Sequence, residues 1–466
     1  MQPDVIANAC PPERREAILA RYRERTAKSL AQHQRAEKVL PGGINRNILY
    51  HKPHPLFVAT GRGAVLRDLD GNDYLDFNGN YTSMILGNCV PEVMAAVHRQ
   101  VDLGTAWAGG SVAEADLAEL LVDRLPSAEQ VRFTASGSEA AMLALRGARA
   151  ATRRPLIAKM EGGYHGLGDY AMVSVAPPLG TGPDDAPTSL AGAGIPEAVR
   201  ATVVTLPFNN AAATEAMVAK HGDQLAAIIV EPVMGADGTI PPQPGYLELL
   251  RRLADRHGIV LIFDEVISFR LHPGGAQTLF GVTPDLTVLG KIIGGGYPIG
   301  AVAGKAAIMR RFDPSQPDAV TLSGTFHANP VALAAGLANM RLLTPAVIDD
   351  LNRRSEAMTK RAAQVLSRAR LPLRLNAIGS LFCIHATAEQ VTDYRKAAAG
   401  ARDFVQWLYL ALLNEGVLLS PRGMGCVSAA MQTGDLDRFV SALEAALAAT
   451  GAHEHKEPAR KVEAQA

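Results

Sequence analysis

A chain of 466 residues can hold two or three compact units around a large core, at about 100–200 residues per unit. Its 46 Lys+Arg balance 46 Asp+Glu, which argues against nucleic acid or an acidic membrane surface as the main partner, and 48% hydrophobic residues exclude general disorder. Glycine stands at 43, roughly 9% against a usual value of about 7%, so the backbone is expected to approach something closely at several points.

Cys10, Cys89, Cys383 and Cys426 lie far apart with no C-x-x-C pair, which speaks against a disulfide framework and a thiolate zinc site. Residues 1–29 carry Pro, Asp, Glu and several Arg where a signal peptide needs an apolar stretch, and no uninterrupted run of about 18 apolar residues occurs. A soluble, cytoplasmic protein with no membrane partner is expected.

In chain order, residues 12–39 read as one polar amphipathic helix ended by Pro41-Gly42-Gly43. Residues 64–77 read as a hairpin about Asp70-Gly71-Asn72. From Pro91 onward helical stretches alternate with short apolar runs at 131–135, 156–160, 226–230, 259–263, 286–289 and 301–303, the pattern of buried parallel strands with crossover helices on both faces, hence an α/β fold. Residues 177–196, rich in Pro, Gly, Asp and Ala, form a long loop of the kind that often serves as a lid. After Pro330 an Ala/Leu-rich helix leads to a last helix at 435–449. Residues 451–466 form a frayed tail in which His453-Glu454-His455 is solvated and not a metal site. No internal repeat is present. The expected organisation is an N-terminal segment (1–85) contributing to a small α+β domain, a large domain (86–335), the rest of the small domain (336–450) and the tail.

In open α/β sheets ligands bind at the carboxyl ends of the strands. After 131–135 come Ser136, Gly137 and Ser138 at a helix start, either an anion cradle for a phosphate or a plain N-cap. After 156–160 come Glu161-Gly162-Gly163-Tyr164-His165-Gly166, with a flat aromatic face for stacking on a ring; a buried Tyr beside a satisfied His is the alternative. After 259–263 come Asp264 and Glu265. A charged Asp there wants a cation or strong donors, and a Walker B role fails because the chain has no G-x-x-x-x-G-K-[ST] loop. After 286–289 comes Gly290-Lys291. A lysine at a buried strand end has its ammonium destabilised and becomes available as a neutral amine nucleophile, unless it snorkels to the surface. Anchor, ring stack, pyridinium partner and Schiff-base amine are together the four functions needed to hold pyridoxal 5'-phosphate.

The chain resembles the class III (subgroup II, fold type I) pyridoxal-phosphate aminotransferases from about Val39 to Leu447. The likeness is carried by Pro41-Gly42-Gly43, Leu66-Arg-Asp-Leu-Asp-Gly-Asn72, Phe133-Thr-Ala-Ser-Gly-Ser-Glu-Ala140, Gly163-Tyr-His-Gly166, Glu231-Pro232, Phe263-Asp-Glu-Val266, Thr283-Pro-Asp-Leu-Thr-Val-Leu-Gly-Lys-Ile-Ile-Gly-Gly-Gly296 and Ser323-Gly-Thr325. The resemblance implies fold type I, with a large mostly parallel-sheet domain plus a small domain. By it Lys291 is the Schiff-base lysine and Asp264 the partner of the pyridine nitrogen. Tyr164 and Val266 flank the ring, Ser136, Gly137 and Ser138 hold phosphate, and Glu231 lies at the cofactor. It also implies a homodimer in which Thr325 reaches the partner's cofactor phosphate.

Two branches of that family compete. Much of the chain looks like glutamate-1-semialdehyde 2,1-aminomutase, an isomerase, yet that branch has Ser-Pro-Val-Arg after its Pro-Gly-Gly-Val-Asn, where Asn45-Arg46-Asn47-Ile48-Leu49 stands here with Leu49 in place of the arginine. Arg46, together with Ser420-Pro421-Arg422-Gly423, looks like the β-amino-acid (β-phenylalanine-type) aminotransferases, in which such arginines hold substrate carboxylates; a surface ion pair is the alternative for both. Arg270, after Asp264-Glu-Val-Ile-Ser-Phe, could be a third such arginine but is expected to brace the fold. The activity implied is transfer of an amino group from a β-amino acid to a 2-oxo acid, 2-oxoglutarate or pyruvate, by ping-pong kinetics, with the aminomutase as the alternative.

Overall fold

The fold is described from a computed structural model in which residues 10–236 and 238–452 are placed; the expected tail beyond 452, with His453 to His455, lies outside the described residues. The N-terminal stretch is two helices, Pro12–Arg25 and Ala27–Glu37, where the sequence suggests one. Thr26 breaks them. Its hydroxyl donates back to the Tyr22 carbonyl at 2.6 Å and meets His54 Nε2 at 2.9 Å, a side-chain bond that competes with the helical ladder.

The hairpin forms as expected. Strands β1 (Val58–Arg62), β2 (Val65–Asp68) and β3 (Asp73–Asp76) are antiparallel, with Asp68 Oδ1 accepting from Asn72 N at 2.8 Å across the turn.

The central sheet has seven strands: β4 (Gln130–Thr134), β5 (Leu156–Met160), β6 (Val203–Leu206), β7 (Leu225–Val230), β8 (Val260–Asp264), β9 (Leu286–Gly290) and β10 (Gly300–Gly304), in the order β4-β10-β9-β8-β7-β5-β6. All are parallel except β10, which runs antiparallel to both β4 and β9. The expectation that run 301–303 is a parallel strand is therefore corrected. A parallel neighbour needs a crossover of about a dozen residues or more, and only a short turn, begun by Lys291–Gly294, separates β9 from β10.

Strands β7, β8, β9 and β10 are buried at every position, which is why they read as continuous apolar runs. Helix Tyr246–His257 packs Leu247, Leu250, Leu253 and Ala254 inward at helical spacing. Helix Gly137–Thr152 presents Ala140, Ala141, Ala144 and Ala148, small enough to lie close on the sheet. Burying each leucine contributes about 1.5–3 kcal/mol.

Strands β11 (Leu373–Ile378), β12 (Leu381–Ala386) and β14 (Met424–Cys426) make a third sheet, while β13 (Val417–Leu418) crosses to pair with β3. N-terminal and C-terminal segments thus share one sheet and one aromatic core, with the Phe77 ring 4.6 Å from Phe439 and 6.1 Å from Phe382. The last helix runs Thr433–Thr450; Gly451 caps it in the left-handed region and Ala452 is buried, so these two residues are not frayed. Among the described residues no single helix is long and apolar enough to cross a membrane, and no group of three or more metal-ligating side chains occurs.

Candidate active site

Because β4, β5, β7, β8 and β9 are parallel, their carboxyl ends open on one edge of the sheet and carry the residues singled out from the sequence. Asp264 ends β8, is 5% exposed, and accepts from Val266 N at 3.1 Å. Its other oxygen lies 2.8 Å from His165 Nδ1, and the second ring nitrogen of His165 is buried with no hydrogen-bond partner among the described residues. Glu231 follows β7, with its two oxygens accepting from Tyr164 N at 3.0 Å and Gly235 N at 2.9 Å. Burial pushes its carboxyl up, the His165 ring opposes that, and the Asp264 carboxylate adds to it.

Lys291 follows β9 at φ 49°, a left-handed conformation for a non-glycine residue, and is partly buried. Its amine has no hydrogen-bond partner among the described residues. Burial lowers its pKa from 10.5 to about 8; Asp264 and Glu231 oppose the shift and the Arg270 guanidinium adds to it. Tyr164 is exposed at 41%, and burial of the rest of its ring, then the Asp264 charge, raise its phenol.

Ser136 does what an N-cap does: its Oγ accepts from Glu139 N at 3.2 Å, while Glu139 Oε2 accepts from Ala135 N at 2.7 Å. That leaves the first-turn N–H groups of Gly137 and Ser138, which have no partner within the helix, as the anion cradle. Ser138 Oγ accepts from Leu167 N at 3.3 Å. The cradle is closed by backbone too tight for side chains. A Cβ on Gly166 (φ 86°) would lie 2.4 Å from Ser138 Cα, and one on Gly137 would lie 3.1 Å from Val266.

Pyridoxal 5'-phosphate fits these residues. First-turn amides without a helical partner can take a phosphate, Tyr164 and Val266 are available to flank a ring, a buried carboxylate is held by His165, and an amine with no hydrogen-bond partner among the described residues completes the set. Thr325, by contrast, is exposed, as is Phe326 at 62%, and is not brought to this cluster.

Arg46 and Arg422 are far apart in sequence and both exposed. Arg46 lies over the Tyr81 ring at 5.4 Å and donates to Asn80 Oδ1 at 2.8 Å. Burial raises the phenol to about 12, and the positive charges of Arg46 and Arg422 both pull it back down. The turn that carries this ring is strained, since Asn80, Tyr81 and Thr82 have φ of 48°, 54° and 77°. Left-handed non-glycine residues cost about 1–3 kcal/mol each and persist where the surroundings over-determine them. Here Asp76 Oδ1 accepts from Gly79 N, Asn78 Oδ1 from Tyr81 N, and the Tyr81 hydroxyl donates to the Ile48 carbonyl, all at 2.7–2.8 Å. No motif in the sequence singles out this turn; the available signal was Asn78-Gly79-Asn80, residue types that tolerate left-handed backbone. Sequence reasoning also passes over His165 as an orienting partner of Asp264, since nothing in the spacing pairs them.

A family model for class III aminotransferases matches residues 49–447. The glutamate-1-semialdehyde 2,1-aminomutase of Methanothermobacter thermautotrophicus is 39% identical over 90% of this chain and 99% of its own length. Among solved structures, an omega-transaminase from Sphaerobacter thermophilus shares 44% identity at a TM-score of 0.89, covering 92% of this chain and 99% of that one. A β-phenylalanine aminotransferase from Variovorax paradoxus shares 34% at a TM-score of 0.86, covering 94% and 98%. A strand-end cradle, an aimed carboxylate and a lysine of lowered pKa on a matching fold lead to one conclusion: the chain belongs to the class III aminotransferases, fold type I enzymes whose cofactor is pyridoxal 5'-phosphate.

Proposed function

We propose that the protein moves the amino group of a carboxylate-bearing amine, a β-amino acid such as β-phenylalanine, to a 2-oxo acid such as 2-oxoglutarate or pyruvate. What supports this reading is Arg46, which lies against the Tyr81 ring and is oriented by Asn80 Oδ1, while the same phenol also feels the Arg422 charge, so that two guanidinium forks are candidates for holding substrate carboxylates.

When bound, the cofactor supplies an electron sink for the carbon that loses its proton. The chain supplies the rest. Lys291 Nζ, its pKa lowered to about 8 by burial, would take the proton from the donor carbon bearing nitrogen and, in the second half of the cycle, deliver one to the former carbonyl carbon of the 2-oxo acid. Asp264, aimed by His165 and the Val266 N–H, presents a fixed negative charge to a protonated ring nitrogen. Gly137 and Ser138 hold the phosphate, Tyr164 and Val266 keep the ring between two surfaces, and Thr325 contributes to the phosphate site of a second copy in a homodimer.

A second reading is the aminomutase, internal transfer within glutamate-1-semialdehyde, and the names of the curated relatives favour it, at 37–41% identity. Against it stands Leu49, partly buried, where the aminomutase pattern carries an arginine. Incubation with α-, β- and ω-amino donors and with glutamate-1-semialdehyde, each with and without a 2-oxo acid, separates the two. Donor turnover that depends on the acceptor supports the transferase. Formation of 5-aminolevulinate with no acceptor, and no turnover of β-amino acids, would replace it with the isomerase.

A further inference from the structure

Arg270 is fully buried, yet it hydrogen-bonds no carboxylate among the described residues. Its guanidinium gives Nε to Ser380 Oγ at 2.8 Å, Nη1 to the Thr82 carbonyl at 2.9 Å and Nη2 to the Val427 carbonyl. A charge placed there costs stability that an apolar side chain of the same volume would not. What it gains is a three-way clamp joining the left-handed turn Gly79–Thr82, the turn between β11 and β12, and the chain after β14. The clamped turn is the one whose Asn80 and Tyr81 touch Arg46.

We propose that Arg270 is a positioning residue for substrate recognition: by holding the Thr82 carbonyl it fixes the turn that aims Arg46 at the substrate's carboxylate. The proposal rests on the reading of Arg46 given above and extends it to a buried group that touches no substrate. A planar fork of five donors can satisfy three acceptors in three segments at once, whereas a lysine ammonium keeps the charge without that geometry.

The test uses the holoenzyme and two probes that need no turnover: 3-phenylpropanoate, which carries a carboxylate, and 3-phenylpropan-1-ol, which does not. Binding is read from the cofactor's absorbance. Arg270→Lys is expected to raise the Kd of the acid at least tenfold and that of the alcohol less than twofold. Ser380→Ala, which removes only the acceptor of Nε, is expected to raise the acid's Kd about threefold and decides the matter if the lysine variant does not fold. An unchanged acid Kd in the variants, or equal weakening of both probes, overturns the positioning role and leaves Arg46's own role standing. Wild-type holoenzyme that binds the acid no better than the alcohol would instead refute the carboxylate reading, and the positioning role with it.

Discussion

His165 Nδ1 sits 2.8 Å from Asp264 Oδ2, between side chains that are 0% and 5% exposed and 99 residues apart in sequence. A carboxylate at that depth retains one backbone donor, Val266 N, once the imidazole is removed. Taking one partner from a buried polar pair leaves the other incompletely solvated, at a cost of about 3 kcal/mol. His165→Leu is therefore expected to lower the denaturant midpoint by that equivalent and to weaken cofactor retention on dialysis. A wild-type midpoint would mean that the ring does not support the carboxylate.

Lys291 supplies a pH signature. Between about 8 and 10.5 its amine binds fewer protons in the folded cofactor-free protein than in the unfolded chain, so stability from this group rises with pH across that window, and the full cost of burying the ammonium is present below it. Arylation of this amine by trinitrobenzenesulfonate should rise with a midpoint near pH 8, while exposed lysines follow their ordinary value near 10.4. Lys291→Met should flatten the stability rise. Labelling of residue 291 that tracks the surface lysines would refute the perturbed amine.

Much of this site was legible because strand ends are legible. Residues 260–263 are wholly apolar and 264 is an acid; residues 286–289 are apolar but for Thr287 and 291 is a lysine, so the sequence itself says where the sheet stops and the chemistry starts. What stayed hidden depends on distance and direction. The antiparallel course of β10 follows from a short connection that composition does not reveal. The break at Thr26 follows from a hydroxyl that finds a carbonyl four residues back and an imidazole 28 residues away. The contact of Arg46 with Tyr81 depends on a strained turn, and the pairing of β13 with β3 on the N-terminal and C-terminal segments folding together.

The long loop at 177–196 is fastened where a lid would be free. Arg395 binds Glu161 through Nε at 2.8 Å and Nη2 at 3.1 Å, and it donates to the Thr181 and Gly182 carbonyls at 3.0 and 3.2 Å. Tyr394 adds a bond from its hydroxyl to the Pro177 carbonyl at 2.7 Å. Arg395→Ala strands the Glu161 carboxylate, which is 5% exposed, and frees the loop's backbone. Limited proteolysis should then cut within 177–196 at least ten times faster than in the wild type. Equal cleavage rates would show that the loop holds itself.

Arg46 is expected to make its strongest mark on donor binding. Its guanidinium is oriented by Asn80 Oδ1 and the Tyr81 ring and keeps further donors free for a carboxylate. A charge-supported hydrogen bond contributes roughly 1.5 kcal/mol, about a tenfold change in affinity. Arg46→Ala is thus expected to raise the KM of a β-amino acid about tenfold or more, and Arg46→Lys should recover only part of that loss because an ammonium cannot grip both carboxylate oxygens side by side. An arylalkylamine without a carboxylate serves as the control, and its KM should move far less. If the two donors respond alike to Arg46→Ala, the guanidinium supports the turn and not the substrate.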